Sequence, residues 1–285
     1  MSTLDGHQYK EGQRQSWDSV AAEWQRWWKT TETAAEEVSR WLISHAEIEP
    51  GSKVLDIATG IGEPAISAAK KVNGGRVLAT DISPQMLSIA KQRAISLGLQ
   101  DVIEFKEGDA ETIDLPTSTF NAVLCRWGLM FLPDLKAGLS NIHKSLVDGG
   151  HLAAAVWASP DKVPVISLAL NTVMKETNSP QPPPGTPGPF NLSDENILKG
   201  TFIKSGFTDI TIERINVVFD FDSAEDYSSY IHGIAAPVRA MLANETPKRR
   251  EEILKAITES AGKYADNNTG TVKLSNEAVC IAGRK

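Results

Sequence analysis

The sequence predicts an α/β domain built on a mostly parallel sheet, and three observations predict it. From Val54 to Trp157 short apolar runs alternate with amphipathic segments, the rhythm of repeated strand–helix–strand units. The first run, Val54 to Ala58, leads straight into glycines at 60 and 62. The second run ends at Asp81, which stands 21 residues after Gly60.

Taken in order, the first fifty residues read as helical. Trp17, Val20, Ala21, Trp24, Trp27 and Trp28 fall on one stripe at helical spacing. A second helix is expected to start at Thr33, where Thr33 and Glu36 have capping-box spacing, and to carry Val38, Trp41, Leu42 and His45 on one face. Pro50-Gly51 closes this region. Strand one covers Val54–Ala58, and a helix over 64–71 begins with Pro64 in its first turn. Asn73-Gly74-Gly75 turns into strand two, Arg76–Thr80. Ser83 reads as an N-cap with Pro84 behind it, and Leu87, Ala90, Ala94 and Leu97 line one helical face that Gly98 stops. Val102–Lys106 and Phe120–Cys125 are strands three and four. Leu135, Leu139, Ile142 and Leu146 mark a helix, and Asp148-Gly149-Gly150 turns into strand five, His151–Trp157.

Beyond Trp157 the alternation loosens. Residues 163–177 read as helix, and Ser179–Phe190, with prolines at 180, 182, 183, 184, 187 and 189, reads as a loop within the same domain. Ser193 is the expected cap of a helix ending near Ser205-Gly206. Phe207–Phe221 is a long strand region, 223–262 is helical, and Thr271–Ala282 is the last strand.

Composition narrows the function classes. The 285 residues are 41% hydrophobic, enough for a sizeable core. The net charge of −7, with no long basic run, argues against a nucleic-acid partner. Lys248-Arg249-Arg250 runs into Glu251-Glu252 and reads as a solvated helix face. Cys125 and Cys280 have no metal-ligand spacing and suggest a reducing interior, with no metal expected. The opening MSTLDGHQYK lacks the apolar core of a signal peptide, and no run approaches the roughly 18 residues of a membrane span. A cytoplasmic location is the resulting expectation.

The chemistry concentrates in VLDIATGIGEPA, Val54 to Ala65. Glycines at 60 and 62 let backbone approach a ligand closely, and the helix that follows aims free N–H groups at it. Asp81 is placed to accept hydrogen bonds from ribose hydroxyls. Gly60, Gly62 and Ala65 also fit the dinucleotide pattern G-x-G-x-x-G/A, so an NAD-dependent oxidoreductase is one reading. Asp56 inside strand one suits a cationic amino group and would repel a pyrophosphate. A second acidic step, Gly108-Asp109-Ala110-Glu111, follows strand three.

Residues 53–157 thereby resemble a class I S-adenosylmethionine-dependent methyltransferase, closest in flavour to the branch of ubiquinone/menaquinone biosynthesis C-methyltransferases and many small-molecule methyltransferases. VLDIATGIG, ATDISPQML, EGDAETIDLP, CRWGLMFLPD and LVDGGHLAAAVW match its five motifs in order. GFTDITIER and AVCIAGRK resemble the antiparallel sixth and seventh strands of that fold. Ala58 stands where the family usually has glycine, a mild departure. The resemblance implies a Rossmann-like seven-stranded sheet, mostly parallel with the last strand antiparallel, carrying a helical N-terminal lid and helical cap insertions. It divides the chain into a lid (1–50), a cofactor-binding core (51–160) and a region of cap helices, proline-rich loop and final two strands of the same domain (161–285).

By the same resemblance, Asp56, Ala58, Gly60 and Gly62 line the methionine end of the S-adenosyl-L-methionine cofactor. Asp81 holds the ribose, Ile82 and Met86 lie against the adenine, and Asp109 accepts from the adenine amino group with Ala110 beside the ring. Arg126 falls at the junction of cofactor and acceptor, as a cofactor contact and a candidate catalytic group. Trp24, Trp127, Met130, Trp157 and Tyr230 are candidate acceptor contacts, Trp17 a further lid residue, and His232 the candidate base. The aliphatics and tyrosines of the cap, Tyr227 among them, suit a small, moderately apolar organic acceptor, with transfer to oxygen or carbon favoured over nitrogen. A non-catalytic S-adenosylmethionine-binding protein remains a second class. An RNA methyltransferase fits poorly, because CRWG stands where enzymes acting on base amino groups carry an Asn/Asp-Pro-Pro-Tyr/Phe tetrad. The sequence leaves the oligomeric state open.

Overall fold

Val54, Leu55 and Ile57 are fully buried, and a strand buried on both faces belongs in the middle of a sheet with helices on either side. The computed structural model, which describes residues 6–285, places it there. The strands are β1 (Lys53–Ile57), β2 (Arg76–Asp81), β3 (Ile103–Glu107), β4 (Phe120–Arg126), β5 (Leu146–Trp157), β6 (Thr208–Phe221) and β7 (Val272–Arg284). Their order is β3-β2-β1-β4-β5-β7-β6. The first five pair in parallel. β7 runs antiparallel to both of its neighbours, β5 and β6. The last strand is thus the one reversed strand, as expected. β6 is antiparallel only to β7, and so points the same way as β5.

The helices are α1 (Gly6–Arg26), α2 (Trp28–His45), α3 (Ala65–Ala69), α4 (Pro84–Ser96), α5 (Leu135–Ser145), α6 (Pro164–Thr177), α7 (Glu195–Lys204), α8 (Ala224–Ile234), α9 (Ala236–Leu242) and α10 (Pro247–Gly262). Ser83 caps α4, accepting from the Met86 N–H. Four boundaries differ from the sequence reading. The second helix starts at Trp28, with Thr33 exposed inside it. Trp27 N–H donates to Glu23 O at 2.9 Å and Thr31 N–H to Trp27 O at 3.1 Å, so the hydrogen-bond ladder carries through the bend without a new cap. The cap of α7 is Asp194 and not Ser193, its carboxylate accepting from Asn196 and Ile197 N–H. The helical stretch 223–262 is three helices, because Pro237 and Pro247 lack the N–H that would continue a helix from the preceding turn. β5 starts at Leu146, earlier than expected, with an irregular register between Phe120 and Ala122 of β4.

The strand order reverses direction between β1 and β4. In such sheets a crevice opens beyond the carboxyl ends of the strands at that point, which is where ligands bind.

A cavity at the carboxyl ends of the strands

A cavity of about 250 Å³ occupies this crevice. Its floor is the turn after β1. Ala58, Gly60 and Gly62 all have positive φ (56, 55 and 107°), which folds the chain back on itself before α3. A Cβ on Gly60 would meet no atom within 4 Å, so its backbone forms open wall. Gly62 does something else. A Cβ there would lie 2.9 Å from Ile66 Cδ1 and 3.3 Å from Ala90 Cβ, and Gly62 does not line the cavity. It is the packing glycine that seats the turn on α4.

Asp81 lines the cavity and braces this turn. One carboxylate oxygen accepts from Gly60 N–H at 2.8 Å and the other from Ser83 N–H at 2.9 Å. Burial pushes its carboxyl up to about 6, against those hydrogen bonds. Ile82, Met86 and Ala110 line the same end. Asp109 lines it too, accepting from Glu111 N–H at 3.0 Å and Thr112 Oγ1 at 3.1 Å.

Asp56 is the first correction. Its side chain is fully buried beneath the turn and does not line the cavity. Oδ2 accepts from Ala65 N–H at 3.0 Å, so it holds the start of α3. Burial pushes its carboxyl up to about 7, opposed by Thr59 and by the charge of Arg126.

Arg126 lines the cavity, but its guanidinium is spoken for. It donates to both Glu32 carboxylate oxygens at 2.6 and 2.8 Å and to Ser39 Oγ at 2.8 Å, tying α2 to the end of β4. A guanidinium held charged by a facing carboxylate exchanges no proton, so Arg126 is a positioning residue and not an acid or base. His232 is a second correction. It lies in a separate surface recess with Glu23, Arg26, Ser229 and Arg239, away from the cavity. Burial and the nearby Arg239 keep its pKa below the ordinary value.

The expected acceptor contacts do meet. Trp24, Trp127, Met130, Trp157 and Tyr230 all line the cavity. Trp127 and Trp157 stack with centroids 4.3 Å apart and planes 13° apart. Trp127 sits at φ +60°, a strained setting for a bulky side chain, of the kind that clusters at functional sites. The Trp24 indole donates to Ile234 O at 3.2 Å, and the Tyr230 hydroxyl pairs with Thr31 Oγ1 at 3.3 Å. Burial lifts the Tyr230 phenol well above its ordinary range.

Sequence reasoning missed the near end of α1 and the acid on α2. Tyr9, Lys10 and Gln13 line the cavity beside Trp17, as does Glu32. Lys10 Nζ reaches Asp109 at 2.7 Å and Glu111 at 2.5 Å. A lysine and a glutamate on amphipathic helices carry no local mark that separates them from solvated charges. Among the described residues no group of three or more His, Cys, Asp or Glu could hold a metal ion, and no helix is long and apolar enough to cross a membrane.

Residues 54–150 match a family model described as a methyltransferase domain. A demethylmenaquinone methyltransferase of Bacteroides fragilis is 30% identical over 113 residues, 40% of this chain and 46% of that protein. The chain therefore spans about half the length of that curated relative. Among solved structures, the YcgJ protein of Bacillus subtilis superposes with a TM-score of 0.59 at 17% identity, covering 88% of this chain and 98% of that one. A phosphoethanolamine N-methyltransferase of Haemonchus contortus, in complex with S-adenosyl-L-methionine, gives 0.54 at 17% identity, over 87% of this chain and 52% of that one. At these identities the likeness is one of fold.

Proposed function

We propose that the protein is an S-adenosylmethionine-dependent methyltransferase acting on a small, moderately apolar organic acceptor, at oxygen or carbon. The observation that carries this reading is that one cavity joins two unlike walls. One wall is Gly60, Asp81, Ile82, Met86, Asp109 and Ala110, suited to an adenosine; the other is aromatic, Trp24, Trp127, Trp157 and Tyr230. The open backbone at Gly60 and the Asp81 carboxylate beside it fit a nucleoside with a vicinal diol. The cofactor supplies a methyl group on a cationic sulfur.

The chain's own work is alignment and exclusion of water. Asp81 fixes the turn and faces the ribose, and Asp109 accepts from the adenine amino group. The aromatic wall holds the acceptor in line with the methyl carbon, and cation–π attraction of roughly 0.5–2 kcal/mol per ring favours the sulfonium. Positioning of this kind can remove about 7–11 kcal/mol from the barrier. Among the described residues no histidine lines the cavity.

In this reading residues 1–50 are a lid, 51–160 the cofactor-binding core, and 161–285 the acceptor cap with the final strands. The two buried free cysteines support a cytoplasmic setting, and the acidic charge a small-molecule rather than nucleic-acid partner. Calorimetric titration with S-adenosylmethionine, S-adenosylhomocysteine and NAD tests the proposal. Binding of the first two without NAD is expected. Binding of NAD alone would reassign the site to a dehydrogenase, and cofactor binding without turnover on any acceptor would favour a non-catalytic binding protein.

A further inference from the structure

Five carboxylates line the cavity (Glu32, Glu63, Asp81, Asp109 and Glu111) against two cations, Lys10 and Arg126, among the described residues. Neither cation is free to meet an anion. Lys10 is held between Asp109 and Glu111 at the adenosine end. Arg126 is the one cation at the aromatic wall, its guanidinium 5.3 Å from the Trp127 ring centroid, and Glu32 engages it through both oxygens. Glu63 is held by Ser67 N–H at 3.1 Å and Ser67 Oγ at 2.7 Å and faces Arg93 at 3.8 Å, so it offers no cation to an entering anion. Beyond Arg126 the acceptor wall carries Ile166, Leu170, Phe219, Ile231 and Ile234, with no ionisable group but the Tyr230 phenol.

An anionic acceptor entering this space would shed its water and find only carboxylates and a neutralised arginine. Burying a charge without a partner is strongly unfavourable. We propose that Glu32 is a specificity-determining residue: by neutralising Arg126 at the aromatic wall it closes the site to phosphorylated or carboxylated acceptors. This rests on the methyltransferase reading for the acceptor's role, while the charge preference itself is a property of the cavity.

The test is equilibrium dialysis of the full chain, with and without saturating S-adenosylhomocysteine, against two probes of one shape: 2-naphthol and 2-naphthyl phosphate. Naphthol is expected to bind at least about tenfold more tightly than naphthyl phosphate, a margin of about 1.4 kcal/mol. In Glu32→Gln, which frees Arg126, the phosphate should gain at least about tenfold relative to naphthol, and raised salt should erase that gain. Equal or tighter binding of the phosphate by the natural chain would overturn the proposal. So would an unchanged phosphate-to-naphthol ratio in folded Glu32→Gln, or no binding of any probe. If Glu32→Gln does not fold, the ranking on the natural chain decides alone. Failure to bind S-adenosylhomocysteine would instead count against the methyltransferase reading, and the probe ranking without it still judges the charge preference.

Discussion

Ala58 holds a left-handed backbone that costs an L-residue with a Cβ roughly 1–2 kcal/mol. Its neighbour across the turn explains how it is tolerated. A Cβ on Gly128 would lie 2.6 Å from that of Ala58 and 2.8 Å from Cys125 Sγ, so the two positions share room for one methyl group. Ala58→Gly is expected to raise the urea midpoint, by up to about 1 kcal/mol once glycine's extra chain entropy is counted. Gly128→Ala should cost roughly 1–3 kcal/mol, the range for an overpacked core. The double variant should recover part of that loss, and additive effects in a double-mutant cycle would refute the coupling. The buried acids give a second expectation at this scale. Asp56 and Asp81 titrate at about 7 and about 6 in the fold, above the ordinary 3.8. The folded chain therefore holds their protons more tightly than the unfolded chain does. Their contribution to stability is fully present below about pH 4 and is lost as pH rises to about 7. Relative to the natural chain, Asp56→Asn should gain stability steadily between pH 4 and pH 7.5, as followed by urea unfolding at each pH. A pH-independent difference would show that Asp56 is not the group responsible.

Among the elements, α1 is held in place by side chains from far along the chain. Lys10 bridges to Asp109 and Glu111, Asp18 accepts from Ser83 Oγ at 2.6 Å, and Trp24 donates to Ile234 O. Trp17 meets Phe131 edge-on at 5.3 Å. These contacts fasten α1 across the cavity mouth to four separate parts of the molecule. Hydrogen exchange should slow along α1 when S-adenosylhomocysteine binds, with the central strands unchanged. Lys10→Met should speed exchange in the first half of α1 in the free protein and leave β1 and β4 protected. Equal change in sheet and helix would mean that α1 is no independent element. The same contacts explain what was legible in advance. The turn at Ala58–Gly62, Asp81 and the Asp109-Ala110 step are short-range features, fixed by spacing along a strand and the helix after it, and they were readable. Asp56 was readable as a carboxylate inside strand one, but which way it points is set by the N–H of Ala65. Lys10, Glu32 and the exclusion of His232 depend on partners about a hundred or more residues away, or on another helix packing over the crevice, and periodicity carries none of that.

At the scale of the whole molecule, the sheet closes in an order different from the order of the chain. β7 lies between β5 and β6, pairing with β5 from His151 to Trp157 and with β6 from Thr208 to Phe221. Its residues, including Val279, Cys280 and Ile281, are buried on arrival. A chain ending before Val272 should therefore leave β5 and β6 as two open edges and be recovered as aggregate, as light scattering of the refolded fragment would register. A soluble, cooperative fragment would contradict this. The feature also bears on how the protein is made in the cell. While the ribosome is still adding α8 to α10, β6 has left the exit tunnel with no strand to join, for its sole partner has not been translated. That interval, set by some fifty codons at about 5–20 residues per second, lasts a few seconds. During it a hydrophobic strand is available to any chaperone, or any neighbouring nascent chain, that reaches it first.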